Sequence, residues 1–149
     1  MRVYNIELPL NTASGVAVVT LIELTSAAAK SLVILRAWLS QKGSTTSAQQ
    51  DVQIVRKSAA GTNVTSPLAN PVDVGDSAFA GTVRGMATVE GTLGTNMYSD
   101  GFNWVNGWLY VPVPEERIWV VGAGIIGIRL PTAPSSLTIN CGITVGEVG

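Results

Sequence analysis

Short apolar runs, each closed by proline or glycine, constrain this chain more than any other feature. They are densest between Phe102 and Leu130, a stretch that holds three of the four tryptophans. Within it, Trp108–Val111 and Ile118–Val121 are rich in aromatic and β-branched residues. Such residues favour the pleated surface of a sheet, and proline ends a strand. The stretch therefore predicts two core strands joined by a turn that Pro112 and Pro114 set.

Similar runs recur along the rest of the chain. Alternating or continuously apolar segments predict further strands at Val3–Leu8, which Pro9 closes, and at Val16–Leu24, Asp51–Arg56, Met86–Leu93 and Leu137–Val145.

The segment between Ser26 and Gly43 fits two patterns. Ala28, Leu32, Leu35 and Leu39 recur at helical spacing. The segment also alternates as a strand would, with one face formed by Val33, Leu35, Ala37 and Leu39 and the other by Leu32, Ile34, Arg36 and Trp38. Because the flanking segments predict strands, we favour a tight turn at Ala27–Lys30 followed by a strand that ends at Gly43.

Polar and glycine-rich segments predict loops between these strands. They are residues 43–50, an irregular region from Gly61 to Gly85 with a short helical turn near Asp76–Ala80, and a turn-rich stretch at residues 94–101. About eight strands with little helix predict a single all-β domain over residues 1–149. The expected architecture is a two-sheet antiparallel β-sandwich that resembles a jelly roll.

Composition excludes several chemistries. The chain has no histidine and one cysteine, Cys141, so it lacks the residues for a histidine-based triad or a zinc site. With a net charge of −1, the chain lacks the overall positive charge that favours binding to nucleic acid. No apolar run is long enough to span a membrane, and the N-terminus does not resemble a signal peptide, so we expect synthesis in the cytosol. No cofactor is predicted.

Three patterns resemble functional motifs. Gly122–Gly127 has the spacing of a dinucleotide-binding loop, but Pro131 and Pro134 leave no room for the helix that such a loop requires, so a hairpin or bulge is expected. Asp73 and Asp76 could supply oxygen ligands to Ca²⁺, but they lack the alternating spacing of a calcium loop, which favours solvated loop acids.

Glu115 and Glu116 are the third pattern. Adjacent residues of an extended segment point to opposite sides, so these two cannot form the facing carboxylates of a glycosidase. We expect one of them to pair with Arg117 or Arg129 and so to fix the turn.

The aromatic residues of the central stretch allow two interpretations. Flat amphipathic rings can form a platform that stacks on sugars, or they can fill the core and a subunit interface, and the second use is favoured. A bend at Asn106–Gly107 is expected to separate rings that an unbroken strand would place on one face. The residues are Phe102, Trp104, Trp108, Tyr110 and Trp119.

Four segments carry a resemblance to a known family. Arg2–Tyr4, the string WLYVPVPEERIWV at residues 108–120, Ile128–Pro131 and Ile143–Gly149 resemble a family of small, virion-associated proteins encoded in the genomes of tailed phages and prophages. The resemblance spans the whole chain, and its most distinctive string is P-x-P-E-E-R. It brings no catalytic or ligand-binding residues and implies a structural, non-enzymatic role in the virion.

This resemblance and the low charge lead to two functional hypotheses. The first is a capsid decoration, or cement, protein that forms a homotrimer and binds the major capsid protein through residues 61–85 and the N-terminal segment. The second is a carbohydrate-binding module on a tail or another host-facing part of the virion. The predicted interface residues are Arg2, Tyr4, Pro67, Leu68, Val72, Phe79, Trp104 and Trp108.

Overall fold

The structure is a computed structural model that describes residues 1–13, 19–42, 47–132, 134 and 137–149, with residues 9–13 and 19 described through their backbone. This part of the chain forms twelve strands and one short 3-10 helix, Pro114–Glu116. The strands are β1 (Arg2–Ala13), β2 (Val19–Thr25), β3 (Ser31–Gln41), β4 (Gln49–Lys57), β5 (Thr62–Thr65), β6 (Ala69–Pro71), β7 (Thr82–Val89), β8 (Leu93–Asn103), β9 (Trp108–Tyr110), β10 (Trp119–Val120), β11 (Ile125–Leu130) and β12 (Leu137–Val148).

The strands form two antiparallel sheets of six strands each. Sheet A has the order β10-β3-β12-β1-β6, and β9 also pairs with β3. Sheet B has the order β5-β7-β2-β11-β4-β8. This confirms the predicted all-β sandwich.

The pairing is nested in the way that defines a jelly roll. The first strand pairs with the last, β1 with β12, and the second pairs with the next to last, β2 with β11. Further in, β3 pairs with both β9 and β10, which act as one interrupted strand, and β4 pairs with β8. The chain is thus a long hairpin rolled into two sheets, which accounts for eight strand positions.

The remaining three strands lie in an insert, residues 58–92, between β4 and β8. Its strand β7 extends sheet B beyond β2, and β5 pairs with β7. Its strand β6 extends sheet A beyond β1. The insert therefore adds one strand to sheet A and two to sheet B at one lateral edge of the sandwich, and β8 and β9 form the opposite edge.

The core lies between the sheets. Alternate residues of the central strands point inward, such as Ile139, Cys141 and Ile143 on β12 and Ile126 and Ile128 on β11, and all five are at most 2% exposed. Burial of these side chains is the main stabilisation of the fold, at about 25 cal/mol per Å² of apolar surface.

Several predicted boundaries differ in the structure. The stretch at residues 94–101, predicted to be turn-rich, lies within β8, because backbone pairing with β4 overrides the weak local preference of glycine and asparagine. The region Gly61–Gly85, predicted to be irregular, contains β5, β6 and the start of β7. No helical turn forms at residues 76–80, and the turn lies instead at Asp73–Asp76.

Two other predictions about strands need correction. Strand β1 does not close at Pro9 but continues to Ala13, with a register shift between Leu8 and Asn11 where proline is tolerated. The two predicted core strands of the central stretch are the short edge strands β9 and β10.

The strand predicted at Met86–Leu93 is also shifted, because β7 spans Thr82–Val89, residues 90–92 lie outside the strands and Leu93 begins β8. The remaining boundaries agree within a few residues or are only partly described. The strand predicted after Ala27–Lys30 is confirmed as β3, and the turn before it is observed. Gln49 and Gln50, predicted to lie in a loop, begin β4. Residues 16–18 of the second predicted strand, Gly43 and the start of the loop at residues 43–46 lie outside the described residues.

Candidate functional site

The eight predicted interface residues separate into two groups. Tyr4, Trp104 and Trp108 are 0%, 1% and 5% exposed. The prediction that their side chains form a contact surface is therefore wrong. The other five are half-buried or exposed, and they lie at the N-terminus or on the insert: Arg2, Pro67, Leu68, Val72 and Phe79.

The N-terminal segment, also predicted to contact the capsid, is a central strand of sheet A. Tyr4, Ile6 and Leu8 on β1 are buried in the core, and β1 pairs with β12 on one side and with β6 on the other. Removing this segment would remove part of the core. The segment therefore has a structural role within sheet A. Surfaces with exposed apolar side chains lie instead on the insert and at the edges of the sandwich.

Tyr4 fixes the insert to sheet A. Its hydroxyl donates to the carbonyl oxygen of Ser77 at 2.8 Å, and its ring meets Phe79 edge-on with 5.2 Å between centroids. Glu147, which is also buried, accepts a hydrogen bond from the backbone N–H of Ala80 at 3.0 Å. Burial, and then the negative charge of Glu147, raise the pKa of Tyr4 above its ordinary value. The phenol therefore stays a hydrogen-bond donor at neutral pH.

A charged cluster fixes the insert to the outer face of sheet B. The ammonium group of Lys57, whose side chain has no exposed surface, lies 2.9 Å from Glu23 Oε2 and also pairs with Glu90. Glu23 is 3.5 Å from Arg84 Nη1 and accepts a hydrogen bond from the backbone N–H of Gly61. Since Glu90, Arg84 and Gly61 belong to the insert, the cluster joins it to β2 and β4.

The charged cluster is closed to ligands. The space beside Glu23 and Arg84, which Thr20, Gly61 and Thr62 also line, is too small to admit a water molecule. A buried charge without a partner is costly, whereas here each charge has partners of opposite sign or hydrogen bonds. We therefore assign the cluster to anchoring and not to chemistry.

The anchored insert presents an apolar tip, which we define as Leu68, Val72 and Val74. Their side chains are 77%, 64% and 97% exposed. Val74 lies in the turn that follows β6, where Asp73 Oδ1 accepts a hydrogen bond from the N–H of Gly75 at 3.0 Å. The three residues lie within a seven-residue segment, with Leu68 before β6 and Val72 directly after it. Exposed apolar side chains that are close together can mark an interaction site.

The opposite lateral edge carries an edge groove between β8 and β9. It has a volume of about 410 Å³ and is lined by the residues Met97, Tyr98, Leu109, Tyr110, Val111, Pro112, Glu116 and Ile118. The rings of Tyr98 and Tyr110, whose centroids are 4.8 Å apart, join the two sheets at this edge. Leu109 and Val111 are 60% and 62% exposed on either side of Tyr110. The lining is therefore mixed, with aliphatic side chains beside two tyrosines and one carboxylate.

The aromatic residues of the central stretch divide between core and surface. Phe102 and Trp104 pack edge-on in the core with 4.8 Å between centroids, and Trp108 is buried near them. The expected bend at Asn106–Gly107 is confirmed, because Gly107 adopts φ +69°, where a side chain would also strike the carbonyl of Leu39. A sugar platform built on Trp104 and Trp108 is therefore excluded, and the favoured core interpretation is confirmed for them.

Two of the motif-like patterns have local structural roles. Gly122–Gly124 lie in the turn from β10 to β11, and a strand follows instead of a helix. The expected hairpin does not form, because β10 and β11 belong to different sheets. Asp76 lies 3.7 Å from Arg2, and Asp73 closes its own turn. Among the residues that the structure describes, no three acidic or cysteine side chains are grouped to hold a metal ion.

The predicted ion pairs of Glu115 and Glu116 do not form. Both residues lie exposed in the 3-10 helix, and no ion pair within the described ranges includes either of them. Arg129 donates instead to Gln53 Oε1 on β4 at 2.7 Å. The turn is therefore shaped by its prolines. The described residues also contain no helix long and apolar enough to cross a membrane.

Comparison with protein-family models, with curated proteins and with solved structures finds no match to this chain. A function for the apolar tip and the edge groove therefore has to follow from their geometry. Sequence reasoning found Leu68 and Val72 of the apolar tip but missed Val74 and the edge groove. The alternation of Trp108, Leu109, Tyr110 and Val111 signals two different faces, but the sequence does not tell which face is inward.

Proposed function

We propose that this protein is a phage virion protein, a capsid decoration protein that assembles as a homotrimer and stabilises the lattice of the major capsid protein. The observation that carries the proposal is the position of two surfaces with exposed apolar side chains, the apolar tip and the edge groove, at opposite lateral edges of one sandwich. The proposed role is structural and not enzymatic.

The apolar tip and the edge groove lie at opposite edges of the sandwich, and this placement favours a head-to-tail contact between copies. If the apolar tip of one copy fills the edge groove of the next, the two surfaces that meet are different, and such heterologous contacts close into a ring when the rotation permits it. In this arrangement Val74, which lies in an exposed turn, enters the concave edge groove of the next copy. A three-membered ring leaves neither surface free.

The low charge of the chain favours assembly through apolar contacts. Charged residues make up 13% of the chain, and the net charge is −1. Long-range electrostatic attraction between copies is therefore weak, and association would depend on burial of apolar area, which salt does not screen.

A third apolar surface is available for the capsid. Val64 on β5 and Val89 at the end of β7 are 69% and 62% exposed, and their strands are paired at the outer edge of sheet B. Both lie in the insert, and Val64 falls within residues 61–85, the expected contact region, whereas Val89 lies just beyond it. We assign capsid binding to these two valines and contacts between copies to the apolar tip.

Co-sedimentation with empty capsids tests the proposal. Capsids assembled from the major capsid protein encoded in the same genome should carry the wild-type protein into the pellet. The variant Val64→Asp with Val89→Asp should stay in the supernatant, because it places charge on an apolar contact. The control Val105→Asp, at a residue that is 60% exposed on the turn after β8, should still pellet. Wild-type protein that stays in the supernatant would contradict the proposal.

The alternative function is a carbohydrate-binding module on a tail or host-facing part of the virion. Trp104 and Trp108, two of the residues considered from the sequence as a sugar platform, are buried and cannot stack on a ligand.

A further inference from the structure

Strand β8 is the long free edge of the sandwich in the described part of the chain. It has 11 residues, whereas the other strands at sheet edges, β5, β6, β9 and β10, have 4, 3, 3 and 2. An edge strand presents unpaired backbone groups on which a strand of another molecule can pair. Pairing between copies would therefore be most extensive at β8.

The pairing of β8 with β4 determines which of its backbone groups are free. The N–H of Trp104 donates to the carbonyl oxygen of Ala48 at 3.2 Å, and hydrogen-bonded positions alternate along an antiparallel pair. Every second residue back from Trp104, including Asp100, therefore directs its backbone groups toward β4. Ser99 and Gly101 direct theirs to the open side, where no strand lies.

Asp100 lies at this open edge with its side chain on the inward face. Its partner on β4 is Val52, a core residue, and paired residues project to the same face. Asp100 Oδ1 accepts a hydrogen bond from the N–H of Gly101 at 2.8 Å, and Oδ2 accepts one from the hydroxyl of Tyr98 at 2.9 Å. The carboxylate is therefore fixed beside the edge and occupies one of its free donors, yet it remains exposed to water.

A further strand added to β8 would cover this carboxylate. The inward side chains of that strand would lie beside Asp100 and displace water, and a charge that loses water without gaining a cation is costly. No ion pair among the described residues includes Asp100. If two β8 strands paired about a two-fold axis centred on this residue, their two carboxylates would also lie directly opposite each other, which is destabilising.

We propose that the charge of Asp100 prevents β8 from pairing with β8 of a second copy, and that its removal turns this edge into a contact between copies. An inward-pointing charge is one of the features by which edge strands avoid pairing. A second copy is the partner that fits, because each copy supplies one free β8 and a two-fold axis makes such a contact self-complementary. The proposal does not depend on the contact between the apolar tip and the edge groove.

The test starts from the variant Val72→Asp with Val74→Asp, in which the apolar tip cannot fill the edge groove and β8 stays open. Addition of Asp100→Val should raise the mass measured by light scattering about twofold at high concentration, because a strand pair joins two copies. The matched control is Asp51→Val. It makes the same change of charge and size at an exposed residue of β4, which already has a strand on each side.

Hydrogen exchange shows whether β8 is the strand that pairs. Loss of the carboxylate alone would free the N–H of Gly101 and speed its exchange, whereas pairing protects the N–H groups of both Ser99 and Gly101. We expect exchange at both residues to slow at least about tenfold in the Asp100→Val protein. Asp100→Lys also loses the carboxylate but keeps a charge at the edge, so it should leave the mass unchanged.

A second neutral variant keeps the test decisive if Asp100→Val does not fold, which circular dichroism checks. Asp100→Thr is the smaller change, and threonine also favours strands, so it should give the same result. The proposal is overturned if the folded neutral variant keeps the mass of the protein from which it was made. It is also overturned if exchange at Ser99 does not slow, or if Asp51→Val or Asp100→Lys associates to the same extent.

Discussion

At the scale of single residues, burial separates tryptophans that the sequence does not distinguish. Trp104 is 1% exposed and packs on Phe102, whereas Trp119, fifteen residues later, is 46% exposed on an edge strand. Both residues lie in the same stretch, Phe102–Leu130, which is rich in aromatic and β-branched residues. The difference comes from the turn at Gly107 and from the pairing of β9 and β10 with β3, which are tertiary features.

Substitution of the two residues should have opposite results. We expect Trp104→Ala to lower the free energy of unfolding by about 3–5 kcal/mol, because it leaves a large cavity in the core. Trp119→Ala should change it by about 0.5 kcal/mol or less, as at most surface positions. Urea denaturation followed by circular dichroism measures both. A change for Trp104→Ala as small as the one expected for Trp119→Ala would contradict the core position of Trp104.

At the scale of elements, local irregularities limited what the sequence could predict. The pattern at residues 31–41 fits a helix or a strand because β3 has a register shift opposite Thr144 and Val145, which moves Leu35 out of the regular alternation. Strand β8 was missed because a glycine- and asparagine-rich segment has low strand propensity, and only its pairing with β4 makes it a strand.

The insert depends on the charged cluster that joins it to sheet B. Lys57→Met should lower the free energy of unfolding by about 3–5 kcal/mol, because it leaves the buried carboxylate of Glu23 without its closest cation. The control Lys42→Met, at an exposed position, should have little effect. Chemical denaturation of the two variants provides the comparison. A Lys57→Met protein as stable as the wild type would contradict the anchoring role.

At the scale of the whole molecule, the fold followed from the sequence and the surfaces did not. Repeated apolar runs closed by proline and glycine predicted the two-sheet sandwich, since each run must bury a face against another sheet. The nested pairing, the position of the insert and the two apolar edges depend on contacts between distant segments. For that reason Tyr4, Trp104 and Trp108 were assigned to a surface that they do not reach.

In the proposed assembly, the apolar tip of one copy fills the edge groove of the next in a closed ring. The most direct test is the solution mass by light scattering at several concentrations. We predict a mass about three times the 15.5 kDa of one chain that persists on dilution, and a monomer for Val72→Asp with Val74→Asp. A wild-type protein that is monomeric at every concentration, or a trimer that this double variant leaves intact, would contradict the account.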